Sequence, residues 1–462
     1  MNTESFLEEL AALIGPSHLL TADCDTSPYC VDWRQRYFGR ALAVALPGTR
    51  DEAAALMRLA HRHRVAVVPQ GGNTSTCGAA TPDTSGRQLV VGLGRLNRVL
   101  AIDAGNDTMT LEAGVTLAAA QQLAARHKRL FPLSLASEGS CQIGGNLSTN
   151  AGGMAVLRYG TMRELALGLE VILPDGSLIE DLSGLRKDTS GLDIKQLFIG
   201  AEGQLGLITA ATLRLFPMPT ARATALIGVD TPQEGLDWLH RLRDRFGDRL
   251  TTFELISLPC LELVRRQNTA RVPFMSPWAI LLELSDGGDS AALYPPLLEC
   301  LAQAHTVDGV VAKNEAEREA LWALREVLSD SQKREGPSIK HDIAVPCSAI
   351  PVFIDEAGAA LEAAFPGCRI IAFGHAGDGN LHYNVSATRP GNTDLFDDEE
   401  RVNGIVYDIV YRHGGTLAAE HGIGQLKRHW LERYKDPAAL ALMRAIKQLL
   451  DPERRMNPGK WL

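Results

Sequence analysis

Short apolar runs alternate with stretches of helical apolar spacing along the chain. From Ala41 to Asn73 an apolar run leads to Thr49 and Glu52, placed as a capping box, then to a helical stretch ending near His63 and a second apolar run, Val65–Val68. That order predicts a β-α-β unit closing on a glycine loop. After a break at Pro217 and Pro219, apolar strands (Thr224–Val229, Ala279–Leu284, Val310–Lys313) interleave with helical stretches (Pro232–Phe246, Ala291–His305, Glu315–Lys333). Interleaving of this kind predicts an α+β second domain. A last helix is expected over Pro437–Leu450, ahead of the tail Asn457-Pro458-Gly459-Lys460.

Three polar glycine-rich segments interrupt the first half. The first, Pro69-Gln70-Gly71-Gly72-Asn73-Thr74-Ser75, directly follows a strand, so its backbone amides can approach a phosphate closely. The second runs from Pro132 to Gly160 and contains Gly139, Ser140, Gly144, Gly145, Asn146, Thr149, Asn150 and Gly153; its glycine content predicts neither regular helix nor strand interior. The third, Gly200 to Thr209, includes Gly203 and Ile208 and leads into a strand. Neither the GxGxxG of a nicotinamide-binding unit nor the GxxxxGK of a triphosphatase occurs in the sequence. One elongated dinucleotide, bound mainly by backbone across the three loops, accounts for them better than three unrelated turns.

Composition changes this picture only at its edges. The 462 residues suffice for two or three domains, and 45% hydrophobic with 22% charged residues is ordinary globular composition. A net charge of −9 argues against nucleic acid or an anionic membrane as a generic partner, so an anionic substrate needs local basic groups. Met1–Leu10 carries Glu4, Glu8 and Glu9 without a basic region, and no apolar run reaches about 18 residues, which predicts no signal peptide, no integral membrane segment and a cytoplasmic location. Eight cysteines without a CxxC pair suit reduced thiols.

The second half carries the titratable chemistry. Gly374-His375-Ala376-Gly377-Asp378-Gly379-Asn380-Leu381-His382-Tyr383-Asn384, read as two strands joined by a turn at Gly377–Asn380, brings His375 and His382 face to face, with Asn384 on the His382 side. Asp378 has an equally good reading as a turn residue. Two imidazoles suit zinc, copper, iron or nickel, and a third ligand, for which Glu420 of Ala419-Glu420-His421-Gly422-Ile423-Gly424 is the candidate, leaves positions open for substrate. A spaced histidine pair alone more often belongs to a surface or to structure; what reverses that balance is the resemblance that the pair and the EHGxG segment together carry. Arg325 and Ser329 are expected one turn apart on a helix, and Lys340 and Asp342 on one face of a strand over Ser338–Pro346.

The three loops resemble, in order and content, the FAD-contacting segments of the vanillyl-alcohol oxidase (PCMH-type) flavoproteins, and the histidine and EHGxG segments resemble the carboxy-terminal signature of the D-lactate, glycolate and D-2-hydroxyglutarate dehydrogenases. The resemblance covers nearly the whole chain. It implies FAD on Pro69, Gly71, Gly72, Asn73, Thr74, Ser75, Pro132, Gly139, Ser140, Gly144, Gly145, Asn146, Thr149, Asn150, Gly153, Gly203, Ile208 and Asn457. Binding is expected to be non-covalent, because the first loop lacks the histidine to which some members attach flavin; Ser75-Thr76-Cys77 is more polar than the family pattern. Likewise implied are Zn2+ or a similar divalent ion on His375, His382 and Glu420, His421 as general base, and Arg325, Ser329, Lys340 and Asn384 on the substrate.

The lysine of the KxDxxxP segment points within that family to D-2-hydroxyglutarate. Ser329 stands where threonine is expected, so a range broader than one diacid is expected, and the alternative within the family is the same chemistry on D-lactate, D-malate or glycolate. A flavin-binding subunit without turnover is the alternative from another class, opposed by the retention of His375, His382, Glu420 and His421 together. The electron acceptor, whether an electron-transferring flavoprotein, a quinone or oxygen, has no legible segment; many relatives are dimers, so a homodimer is expected. The implied fold is α+β: a PCMH-type FAD-binding domain of two α/β subdomains (1–217), a ferredoxin-like substrate-binding cap (218–415) and a carboxy-terminal segment (416–462) returning to the FAD domain.

Overall fold

The β-α-β unit expected at Ala41–Gln70 forms, as part of a four-stranded sheet. The computed structural model describes residues 3–303, 308–389 and 391–462. Strands β1 (Leu19–Leu20), β2 (Ala41–Ala45), β3 (Ala66–Gln70) and β4 (Gln88–Gly92) take the order β1-β2-β4-β3, with β2, β4 and β3 parallel and β1 antiparallel at the edge. Helix α1 (Thr3–Ile14) packs on α2 (Arg50–His63) through Phe6, Leu10 and Ile14. The α2 start follows its sequence signal: Thr49 Oγ1 accepts from Glu52 N at 3.1 Å, and Glu52 Oε2 takes Gly48 N at 2.7 Å, one residue upstream of the usual reciprocal bond.

A second sheet of five antiparallel strands, β5 (Val99–Asp103), β6 (Thr108–Glu112), β7 (Ala166–Ile172), β8 (Leu178–Asp181) and β9 (Leu207–Arg214), runs in the order β5-β6-β9-β7-β8. Helix α3 (Leu117–Arg126) begins at Thr116, whose hydroxyl accepts from Ala119 N. Against expectation, the glycine-rich second segment contains a helical turn, α4 (Ile143–Ser148). Close packing overrides propensity there: Ile143 and Leu147 are fully buried, and a Cβ on Gly144 would lie 2.8 Å from that of Ala113. These elements, the helix Pro437–Leu450 and the tail make one unit: residues up to Gly152, Gly160–Met218 and Glu420–Leu462.

The second unit comprises Gly153–Tyr159 and Pro219–Ala419. Its antiparallel sheet has seven strands, β10 (Ala221–Val229), β11 (Leu250–Ser257), β12 (Trp278–Asp286), β13 (Gly309–Val311), β14 (Asp342–Ala344), β15 (Arg369–Gly374) and β16 (Asn380–Ser386), in the order β13-β10-β12-β11-β15-β16-β14. All eight residues of β11 are buried, a strand the apolar pattern did not single out. Helix α5 (Pro232–Phe246) has the expected bounds, with Thr231 as its cap and Leu236, Leu239, Leu242 and Phe246 on its buried side. Helix α6 (Leu258–Gln267) carries Cys260, Leu261 and Val264 into a core shared with Ile256, Leu281 and Phe373. The helix expected to end at His305 runs over Tyr294–Ala302, and His305 itself lies outside the described residues. The stretch expected as one helix over Glu315–Lys333 is two, α7 (Glu315–Glu326) and α8 (Leu328–Glu335), interrupted at Val327. Among the described residues no helix is long and apolar enough to cross a membrane.

Candidate active site

The glycine loops of the first unit touch one another. Gly72 lies against the Ser140 carbonyl, where a Cβ would come within 1.9 Å of oxygen, and Gly71 lies beside Gln142 and Gly145. Gly200 N donates to Leu147 O and Glu202 N to Ser148 O, while Gly203, at φ +70°, packs on Pro69. Asn457 joins them from the tail: its Nδ2 donates to Ala79 O and Glu202 O, and its amide to Val67 O. These loops leave room and polar groups for a ligand. Space is open beside Gly139 and Gly145, and among the described residues Asn73 Oδ1 and Gln142 Oε1 are buried polar atoms without a hydrogen-bond partner.

Other expected loop residues hold the backbone. Ser75 Oγ accepts from Cys77 N and Ala79 N, Thr149 Oγ1 donates to Gly145 O, and Asn150 Oδ1 accepts from Thr161 Oγ1 and Arg163 N. Ser140 Oγ donates to Ser137 O, Pro132 is buried, and Ile208 is buried within β9. Thr74 remains on the first loop, half-buried, and Gly153 falls in the segment that belongs to the second unit.

The turn after His421 is clamped. Glu202, buried at φ +51°, accepts Ile423 N at 2.7 Å and Gly424 N at 2.8 Å on its two carboxylate oxygens. Burial pushes its carboxyl up, and those two amides oppose the rise. The Cys77 carbonyl takes Gln425 N at 2.9 Å, so the unusually polar Ser75-Thr76-Cys77 run seats this turn. Sequence reasoning assigned neither role.

The histidine segment forms the expected hairpin. Phe373 of β15 pairs with His382 of β16 and Ile371 with Asn384. His375 follows the last residue of β15, its ring centroid 5.9 Å from that of His382. Gly374, at φ +155°, allows the strands to meet there, because a Cβ would stand 2.6 Å from the Asn380 carbonyl oxygen. Glu420 is peptide-bonded to Ala419, the last residue of the second unit, whose amide donates to Asp342 O. The ligand atoms of His375, His382 and Glu420 lie within 4.8 Å of one another. His421 Nε2 is 3.7 Å from Glu420 Oε1. Asp378 shapes the turn through Asn380 N, and burial pushes its carboxyl up to about 6. Asp342 accepts from Asn380 Nδ2 at 3.0 Å, so it too fixes the hairpin.

Glu254, in the middle of β11, is the residue that sequence reasoning missed. It is 0% exposed and takes Arg325 Nε at 2.6 Å on one oxygen and His375 Nδ1 on the other. Burial alone would raise its carboxyl, but Arg325 and His375 hold it well below the usual range. An ionised carboxylate only accepts, so His375 Nδ1 carries the proton and Nε2 is the nitrogen left to act as a ligand. Arg325 is buried, with its guanidinium 4.7 Å over the Phe373 ring. Ser329, expected on the same face as Arg325, is exposed on α8. Lys340 precedes β14 rather than lying within it, and Gln332 Oε1 accepts from both Lys340 Nζ at 3.1 Å and Asn384 Nδ2 at 2.9 Å.

Glycine loops with open polar groups, and a histidine hairpin backed by a buried carboxylate, are parts that a flavin-dependent oxidoreductase needs. Family comparison agrees: residues 41–181 match the FAD binding domain and residues 218–461 the C-terminal domain of FAD linked oxidases. A D-2-hydroxyglutarate dehydrogenase of Xanthomonas citri pv. viticola is 36% identical over 99% of this chain and 97% of its own length. A mitochondrial D-2-hydroxyglutarate dehydrogenase of Bos taurus is 36% identical over 98% of this chain and 83% of its own. Among solved structures, p-cresol methylhydroxylase aligns with a TM-score of 0.75 at 14% identity over 99% of this chain and 96% of its own, a likeness of fold. The chain belongs to the FAD-linked oxidase family with the PCMH-type fold, and it is an FAD-dependent dehydrogenase.

The expected cytoplasmic location does not stand. The Bos taurus relative is named mitochondrial, as are other eukaryotic relatives. Net charge and the length of apolar runs constrain membrane insertion, and they do not encode a compartment.

Proposed function

We propose that the chain oxidises D-2-hydroxyglutarate to 2-oxoglutarate, with a divalent metal, zinc first, at His375, His382 and Glu420 and with His421 as general base. The observation that carries this reading is the convergence of those three ligand atoms within 4.8 Å, next in sequence to a histidine. The names of the Xanthomonas and Bos taurus relatives support the substrate. Two imidazoles and a carboxylate suit a borderline divalent ion and leave coordination positions open. Such an ion would lower the cost of negative charge developing on the substrate hydroxyl. FAD, held by the glycine loops, supplies the acceptor for the hydride leaving carbon 2.

The chain's own groups do the rest. His421 takes the hydroxyl proton, a task suited to a group that changes charge near neutral pH. Glu254 fixes His375 with Nε2 available to the metal. Lys340 and the terminal nitrogens of Arg325 would take the distal carboxylate, while Nε of Arg325 is committed to Glu254. Asn384, on the His382 face of β16, would hold a substrate oxygen. Ser329 is the weakest member of the set, being exposed on α8. Electrons would leave to an electron-transferring flavoprotein or a quinone.

The test is anaerobic flavin reduction with D-2-hydroxyglutarate, its L-enantiomer, D-lactate, D-malate and glycolate. Rapid bleaching by the D-diacid, suppressed by a chelator, is expected. Bleaching only by a monocarboxylate would overturn the distal-carboxylate assignment, and bleaching that survives complete metal removal would overturn the metal.

A further inference from the structure

Gln332 lies on α8, beyond the interruption at Val327, and its side chain is 2% exposed. Its one amide oxygen receives two donors from separate parts of the chain: the Lys340 ammonium, from the segment before β14, and the Asn384 amide, from β16. Its amide nitrogen is buried and has no hydrogen-bond partner among the described residues. Burying an amide with half of its hydrogen-bonding capacity unused is unfavourable, and an apolar side chain would fill the same place without that cost. What the amide accomplishes is to tie Lys340 and Asn384 to a single point.

The choice of acceptor matters as much as its position. A carboxylate in this place would hold the ammonium by pairing with it and would cancel its charge. A neutral amide oxygen restrains the same ammonium without itself cancelling the charge. We propose that Gln332 is the positioning residue that sets selectivity for substrates with a second carboxylate, by fixing Lys340 through a neutral acceptor and coupling it to Asn384. The inference rests on the reading of Lys340 and Asn384 as substrate-binding residues.

Two variants of the full-length, FAD-loaded protein test it: Gln332→Glu, which is nearly isosteric, and Gln332→Met, which removes the acceptor. Flavin reduction is followed anaerobically with D-2-hydroxyglutarate and with D-lactate, beside flavin content and Tm. Gln332→Glu should raise KM for the diacid about 10- to 100-fold, the worth of one charge-assisted contact, with the limiting rate, flavin content and D-lactate kinetics each within about threefold of wild type. Gln332→Met should raise the same KM by a smaller factor. A purely structural role would instead depress limiting rate, flavin content and Tm together for both substrates, and that pattern, or an unchanged diacid KM in Gln332→Glu, overturns the proposal. Wild-type protein that is not reduced by D-2-hydroxyglutarate would overturn the substrate reading itself, an outcome separable from an unchanged KM in the variant.

Discussion

Replacing Glu254 strikes the proposed substrate-side and metal-side residues at once. The carboxylate is fully buried in β11 and engages Arg325 Nε at 2.6 Å and His375 Nδ1. Glu254→Gln keeps the volume, but its amide can accept from only one of the two donors and turns an NH2 group toward the other, and it removes the counter-charge of a buried guanidinium. Breaking a buried pair by removing one partner costs about 3–5 kcal/mol, because the surviving charge is left uncompensated. At about 2–4 °C per kcal/mol for a unit of 150–250 residues, the second unit's calorimetric transition should fall by about 6–20 °C.

Metal affinity should fall as well. His375 loses the acceptor that fixes its tautomer, and removing such an outer partner typically weakens binding about 10- to 100-fold, measurable by zinc titration against a competing chelator. The paired replacement Glu254→Met with Arg325→Met should recover most of the stability, since an apolar pair of similar volume is close to neutral, while flavin reduction by the diacid stays lost. A Glu254→Gln protein that melts within about 2 °C of wild type and binds zinc as tightly would refute the argument.

Three further outcomes are expected. Lys340→Ala should lower kcat/KM for D-2-hydroxyglutarate about 10- to 100-fold and for D-lactate little; equal losses would remove Lys340 from the distal end of the substrate. Glu420→Ala should lose metal while retaining FAD, read by metal analysis beside the flavin spectrum, and stoichiometric metal in that variant would strike Glu420 from the ligand set. Lys460 is buried, donates to Thr81 O, and has its ammonium pushed by burial from 10.5 down to about 8 against the pull of Asp83 and Glu202. Below pH 8 that charge therefore costs stability, by about 3 kcal/mol for a shift of this size, and the cost fades as pH rises from 8 toward 10.5, where the unfolded chain binds more protons. Compared with Lys460→Met in denaturant titrations, wild type should gain between pH 7 and 10; a difference that does not change with pH would contradict the linkage.

What the sequence disclosed, and what it concealed, follows from the range of each signal. The His375–His382 hairpin was legible because turn glycines and strand alternation are local, and the register of β15 with β16 follows from them. The glycine-rich loops were legible by composition, yet α4 was not, because the helical turn at Ile143–Ser148 depends on Gly144 pressing against Ala113, 31 positions earlier. Glu254 had one local trace, an acid between Phe253 and Leu255 in a strand-like run, but its partners are 71 and 121 residues away and β11 itself went unread. The interruption at Val327 comes with neither glycine nor proline, so a continuous helix placed Arg325 and Ser329 on one face. With the helix interrupted there, Ser329 is exposed, while Ser331 and Gln332 are buried and Gln332 holds Lys340 and Asn384. Residues that would touch substrate or metal thus announced themselves by type and spacing, whereas Glu254, Gln332 and Glu202, which hold those residues in place, became visible only once distant strands and turns were paired.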